Sequence, residues 1–167
     1  EASATGKRVQ ALCEAKNHAL VLEDAALERS ARGIINSSFG CAGERCMALP
    51  VIVAQESIAD ELVGYLKKFA QELKLGPAYD KESTLGPVVT EAHRQSILKW
   101  IEKGIEEGAQ LVLDGRNPVV PGYENGFYVG PTIFDHVTED MTVGQREIFG
   151  PVLCVKRVKD FEEGLAV

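Results

Sequence analysis

The run Leu49 to Leu73, LPVIVAQESIADELVGYLKKFAQEL, changes its period part-way along. Leu49–Ala54 is an apolar stretch of strand length. From Ser57 onward, Ile58, Leu62, Leu66, Phe69 and Leu73 recur at helical spacing, and Ser57 with Asp60 forms a helix start signal. Strand followed by amphipathic helix is the unit of α/β domains with a largely parallel sheet. The same alternation extends in both directions. Ala19–Leu22, Leu111–Leu113, Thr132–Phe134 and Val152–Val155 are the other strand candidates. Asp24 is placed to cap a helix running to about Ser38, with Leu27, Ala31, Ile34 and Ser38 on one face and Ala26, Ser30 and Gly33 permitting close packing on another. A third helix spans Thr90 to Gly108, with Ile97, Ile101 and Ile105 along one face and Gly104 weakening its middle.

Asp114-Gly115-Arg116 and Asn125-Gly126 are turn signals, and the Pro118–Gly122 stretch is too rich in Pro and Gly to be regular. There is no internal repeat, low-complexity tract or linker, so 167 residues amount to one domain, and 45% apolar residues suffice for a core. Eighteen Lys and Arg against 25 Asp and Glu give a net charge of −7 with no basic cluster, which argues against a nucleic-acid partner. No apolar run reaches the roughly 20 residues that cross a bilayer, and Glu1–Arg8 is polar rather than a signal-peptide core. A chain neither membrane-spanning nor visibly secreted is expected. It opens on Glu1 and stops at Val167 inside Asp160–Val167, which reads as a starting helix, so an excised fragment is also expected.

The four cysteines, Cys13, Cys41, Cys46 and Cys154, have no CxxC spacing and only three His accompany them. Neither a metal site nor a dense disulfide framework is suggested, and free thiols fit a reducing compartment. Cys46 stands out by its surroundings. In Phe39–Ala48, FGCAGERCMA, a helix rich in small residues runs into Gly40, Ala42 and Gly43, where backbone can approach a ligand closely. Arg45 beside it would favour the thiolate if its side chain turned that way. On these residues alone, Cys46 reads more readily as a small buried core residue than as a nucleophile.

Gly43-Glu44-Arg45-Cys46-Met47-Ala48 resembles the cysteine signature of the aldehyde dehydrogenase superfamily, in which Gly, then Gln or Glu, then a variable residue precede the nucleophilic Cys. Glu147–Val152, EIFGPV, resembles a second landmark of the superfamily. Leu85-Gly86-Pro87 with Glu107-Gly108-Ala109 and Phe127–Ile133, FYVGPTI, resemble others, in the family's order along the chain. The resemblance implies a three-layer, open, largely parallel sheet with flanking helices, forming the single cysteine-bearing catalytic domain over residues 1–167. It implies NAD as cofactor, with Glu147 on a ribose, Phe149 against the nicotinamide side and the Cys13 carbonyl on the carboxamide. No GxGxxG appears, and the dinucleotide loop lies upstream in such enzymes, so this piece alone should bind NAD poorly.

Hydrolytic aldehyde dehydrogenases carry ELGGK near the segment Arg8–His18, RVQALCEAKNH, with its Glu as the base that activates water. Aligning the lysine on Lys16 puts Leu12 at that place, and leucine cannot abstract a proton. Glu14, two residues on, falls at a family glycine position and is read as solvated or locally paired. This departure, with Arg45 immediately before Cys46, resembles the methylmalonate-semialdehyde dehydrogenases, which release the acyl group to coenzyme A. The resemblance implies a semialdehyde carboxylate held by Arg45, whose alternative is an ion pair with Glu44 or another acid. It also implies a homodimer or homotetramer in the cytoplasm, or in the mitochondrial matrix of a eukaryote. A hydrolytic enzyme using Glu14 and a catalytically silent scaffold are the competing readings. Cys41 is read as packing, with a Cys41–Cys46 disulfide as a lesser alternative, Cys154 as core and Trp100 as an amphipathic anchor. His18 is read as exposed or satisfied, and His93 and His136 as lacking the acid and nucleophile of a triad.

Overall fold

The computed structural model describes residues 1–167. Strands β1 (His18–Val21), β2 (Val51–Gln55), β3 (Gln110–Leu113), β4 (Thr132–Asp135) and β5 (Val152–Val158) form one sheet in the order β1-β2-β5-β4-β3. Only β3 runs antiparallel to its neighbour, so the sheet is largely parallel as the alternation predicts. The helices are α1 (Leu27–Phe39), α2 (Glu56–Gln71), α3 (Glu91–Glu106) and the short α4 (Thr142–Gln145) and α5 (Phe161–Ala166).

Alternate side chains of a strand point to opposite faces, and β4 and β5 show which helix covers which. Phe134 meets Gly104 of α3, and the Cys154 thiol donates to the Val143 carbonyl of α4. On the other face Arg157 reaches Glu56 and Asp60 of α2, and α1 packs alongside α2. Three layers result. The centre of the sheet is apolar on both faces, with Val51, Ile52, Val53, Ala54, Leu153 and Val155 all buried.

Local signals misplace several boundaries. Asp24 lies in a turn and caps nothing; α1 starts at Leu27 behind Ala26. Helix α2 starts at Glu56, one residue before Ser57, without a side-chain cap. Thr90 does cap α3, accepting a hydrogen bond from the His93 amide at 3.1 Å. Ala26 and Gly33 face solvent rather than a close-packed neighbour. On α3, Ile97 and Ile101 are buried but Ile105 is 41% exposed, and Gly104 takes its place inward. A Cβ at Gly104 would lie 2.8 Å from the Phe134 ring, so this glycine is a recess for an aromatic rather than a weak point.

Strand β5 runs on to Val158, through two charged residues that argue against burial when read locally. Both are paired. Lys156 bonds Glu139 at 2.6 Å, and the Arg157 fork grips Asp135 through Nε at 3.1 Å and Nη2 at 2.7 Å. Because the side chains of Arg157 and Asp135 are 11% and 3% exposed, removing the acid leaves a nearly buried cation with only the solvent-facing Glu56 and Asp60. Asp135→Ala is therefore expected to cost about 3 kcal/mol, measured by denaturant unfolding, and a cost under about 1 kcal/mol would contradict this account.

Candidate active site

Helix α1 ends at Phe39, and the chain then turns through three consecutive left-handed residues, Cys41 (φ 53°), Ala42 (φ 55°) and Gly43 (φ 71°). The first two are not glycine, so the turn stores backbone strain. Its third position admits no side chain: a Cβ on Gly43 would lie 2.2 Å from the Gly150 carbonyl oxygen. This approach of backbone to backbone presses the segment leading to Cys46 against Glu147–Val152. A narrow cleft forms where they meet, lined by Asn17, Arg45, Cys46, Glu147 and Phe149 among others. The Cys46 thiol is exposed. Phe149, 40% exposed, is itself left-handed at φ 56°, as is Cys13 at φ 65°. Three of the six non-glycine residues with positive φ, Cys41, Ala42 and Phe149, thus lie in the two cleft-forming segments, the placement expected of a functional site.

The cations and acids around Cys46 take partners that neighbouring sequence does not suggest. Arg45 turns away from Glu44: its Nη2 donates to the carbonyls of Asn36 and Ser37, both at 2.8 Å, placing the guanidinium at the C-terminal end of α1, where a cation is favoured. Glu44 accepts instead from the Val89 amide at 3.2 Å and lies 3.3 Å from His93 Nε2. That same nitrogen is 2.7 Å from the Phe149 carbonyl oxygen. Both neighbours are acceptors, so Nε2 carries the hydrogen and joins the nucleophile segment to the Phe149 segment. His93 therefore does have a clustered acid, against expectation.

Two glycine-rich turns complete the frame. Gly115 and Gly130 cross backbone to backbone, with a Gly115 Cβ only 2.0 Å from the Gly130 oxygen, and Glu107 of the EGA run accepts from the Val143 amide at 3.1 Å and from the Thr142 hydroxyl. The second contact pins the end of α3 to α4, just upstream of Glu147. The aldehyde dehydrogenase family profile matches residues 1–167 throughout.

The chain belongs to the aldehyde dehydrogenase family. It is 53% identical over 166 residues to malonate-semialdehyde dehydrogenase 2 of Geobacillus kaustophilus, covering 99% of this chain and 34% of that protein. Among solved structures, methylmalonate-semialdehyde dehydrogenase from Oceanimonas doudoroffii superposes with a TM-score of 0.92 at 47% identity, over 98% of this chain and 34% of that one. A Mycobacterium tuberculosis aldehyde dehydrogenase complexed with NAD+ superposes with a TM-score of 0.87 at 37% identity, over 92% of this chain and 31% of that one. The chain spans about a third of the length of the relatives it matches.

Four of the five site residues expected of this aldehyde dehydrogenase chain, Cys46, Arg45, Glu147 and Phe149, line one cleft. Cys13 does not; it is exposed in residues 1–17, which hold no regular element beyond one short turn at Ser3–Thr5. Leu12 is 75% exposed. Glu14 is paired at the surface, with Arg146 at 3.0 Å. All four thiols are free. Cys41 is exposed rather than packed, whereas Cys154 is buried as expected, and burial pushes its thiol up to about 11. Iodoacetamide at neutral pH should accordingly modify Cys13, Cys41 and Cys46 in the native protein and spare Cys154; labelling of Cys154, read by peptide mass spectrometry, would contradict the burial. Trp100 is half-buried against the core, as an anchor should be. Sequence reading missed Asn17, whose Nδ2 donates to the carbonyls of Cys46 at 2.9 Å and Ala48 at 2.8 Å. Its only signal was a polar amide directly before a strand.

Proposed function

We propose that this chain supplies the nucleophile of an NAD-dependent, CoA-acylating malonate- or methylmalonate-semialdehyde dehydrogenase. The exposed Cys46 thiol, in one cleft with Glu147 and Phe149, carries the reading. The Cys46 thiolate adds to the aldehyde carbon, forming a carbon–sulfur bond while the carbonyl electron pair moves onto oxygen. The Cys46 amide makes no hydrogen bond within the chain, which leaves it free to donate to that oxyanion. The cleft residues suit one edge of NAD: the Glu147 carboxylate can accept from a ribose hydroxyl, and the half-exposed Phe149 ring offers a flat apolar surface in the same cleft as the thiol. NAD when bound supplies hydride acceptance, and the acyl group is left as a thioester on Cys46.

Deacylation decides between the acid and the CoA ester. Leu12 has no proton acceptor, Glu14 is tied to Arg146, and Glu44 is tied to Val89 and His93. With Glu147 taken up by the cofactor's ribose in this reading, no carboxylate is left to activate water, and the CoA thiolate attacks the thioester carbonyl and expels the Cys46 thiolate. The acyl group formed from a 3-oxo acid also loses carbon dioxide, since its carboxylate lies β to the thioester carbonyl; the enolate left behind takes up a proton, giving acetyl-CoA or propionyl-CoA. Arg45 keeps N–H donors beyond those used at the helix end to bind that carboxylate. In the full-length enzyme, product from either semialdehyde should form at least roughly a hundredfold faster with CoA than without, the factor that an absent general base forfeits. Rapid CoA-independent release of free acid would refute the acylating reading, and its abolition by Glu14→Gln would assign the base. The free thiols support a reducing compartment, the cytoplasm or mitochondrial matrix, and we expect a homodimer or homotetramer.

A further inference from the structure

The turn carrying Cys46 has few backbone ties of its own. The Ala48 amide donates to the Arg45 carbonyl at 3.1 Å, and the Glu44 amide to the Cys41 carbonyl at 3.0 Å. Side chains hold the rest from outside. Arg45 reaches the end of α1, and the Ser38 hydroxyl donates to the Leu49 carbonyl at 2.6 Å. Met47, 79% exposed, anchors nothing. Across this gap the Asn17 carboxamide directs one NH2 group at two carbonyls, those of Cys46 and Ala48, on either side of Met47.

Asn17 is well placed to transmit position. It directly precedes β1, whose His18–Val21 pair in parallel with Val51–Ala54 of β2. Its neighbour Lys16 donates from Nζ to the Val143 carbonyl at 3.0 Å, fixing this approach to the sheet from the other side. The register of β1 on β2 therefore determines where the carboxamide stands. The carboxamide in turn determines how the Cys46 peptide is rotated.

We propose that Asn17 is a positioning residue that orients Cys46 for attack by clamping the carbonyls on both sides of Met47. The proposal rests on Cys46 being the nucleophile. Releasing the Cys46 carbonyl lets the residue swing, moving its thiol and oxyanion-binding amide together relative to Glu147 and Phe149 across the cleft, and a misplacement of about 1 Å at a reacting atom costs on the order of a hundredfold in rate. No other side chain bonds the Cys46 carbonyl.

The test uses the full-length enzyme with Asn17→Ala, which removes both donors, Asn17→Asp, which keeps the shape but faces two carbonyls with acceptors, and Asn17→Ser, whose single hydroxyl can serve at most one. In the first two, kcat should fall by about tenfold to a hundredfold while KM for aldehyde and NAD stays within roughly twofold and the thermal transition stays near the parent's. Iodoacetamide labelling of Cys46, normalised to the exposed Cys41 in the same molecule, should fall with kcat, and Asn17→Ser should recover part of both. Parental kcat and an unchanged Cys46-to-Cys41 labelling ratio would overturn the proposal, as would activity lost only in step with folded protein. Should Asn17→Asp fail to fold, Asn17→Ser and Asn17→Ala carry the same comparison. The labelling ratio does not depend on turnover, so survival of activity in Cys46→Ala would remove the nucleophile assignment while leaving the clamp separately testable.

Discussion

Cys46→Ala in the full-length protein should leave less than about 10⁻⁴ of the parental turnover, the scale on which removal of a covalent nucleophile is felt, while leaving the fold intact. Both halves follow from exposure. The Cys46 thiol faces the cleft rather than the core, so deleting its sulfur opens no cavity, and no hydrogen bond from that side chain is lost. Cys41 is the control: it is equally free and exposed and lies five residues away, but it does not line the cleft. Cys41→Ala should retain turnover within roughly twofold, although its left-handed backbone strain persists. Steady-state assays with circular dichroism decide the matter. Equal loss from both variants, or substantial turnover in Cys46→Ala, would defeat the assignment.

Gly43→Ala should be among the most damaging single methyls in the chain, and the one that acts directly on the cleft. The added carbon would lie 2.2 Å from the Gly150 oxygen, 2.5 Å from its carbonyl carbon and 3.0 Å from the Ser38 oxygen. All three are backbone atoms, so no side chain can swing aside, and the φ of 71° adds strain of its own. Relief requires parting the nucleophile turn from Gly150, which also opens the cleft shared by Cys46, Glu147 and Phe149. A loss of about 3 kcal/mol in stability and of about a hundredfold in kcat is expected, read from thermal unfolding and initial rates. Gly64→Ala is the contrasting case. That glycine sits within α2 with nothing within 4 Å of an added Cβ, and alanine there should stabilise by about 0.5–1 kcal/mol. Parental behaviour of Gly43→Ala would mean that the two segments are not held by that contact.

Much of the frame was legible in the order of residues. The period change inside Leu49–Leu73 separates β2 from α2, Thr90 marks the start of α3 to the residue, and the chain's alternation predicts a largely parallel sheet. The cleft was legible through motif resemblance, which singled out Cys46 and Glu147 a hundred residues apart. Helix starts at Asp24 and Ser57 were misread because capping residues are common in turns and first turns alike. The strand through Lys156 and Arg157 was cut short because a charge looks like an exit from the core until its partner is known.

Periodicity and turn chemistry arise within a few residues of backbone, so the chain's own letters settle its strands, its main helices and the residue types available for chemistry. Direction of side chains is another matter. Arg45 at the end of α1, Glu44 beside His93, Arg157 on Asp135 and the Asn17 amide on Cys46 and Ala48 all join groups separated by 8 to 49 residues. Such partners meet only once the sheet has brought its strands into register. A buried or half-buried polar group must take whichever partner the packing supplies, and which one that is belongs to the folded molecule.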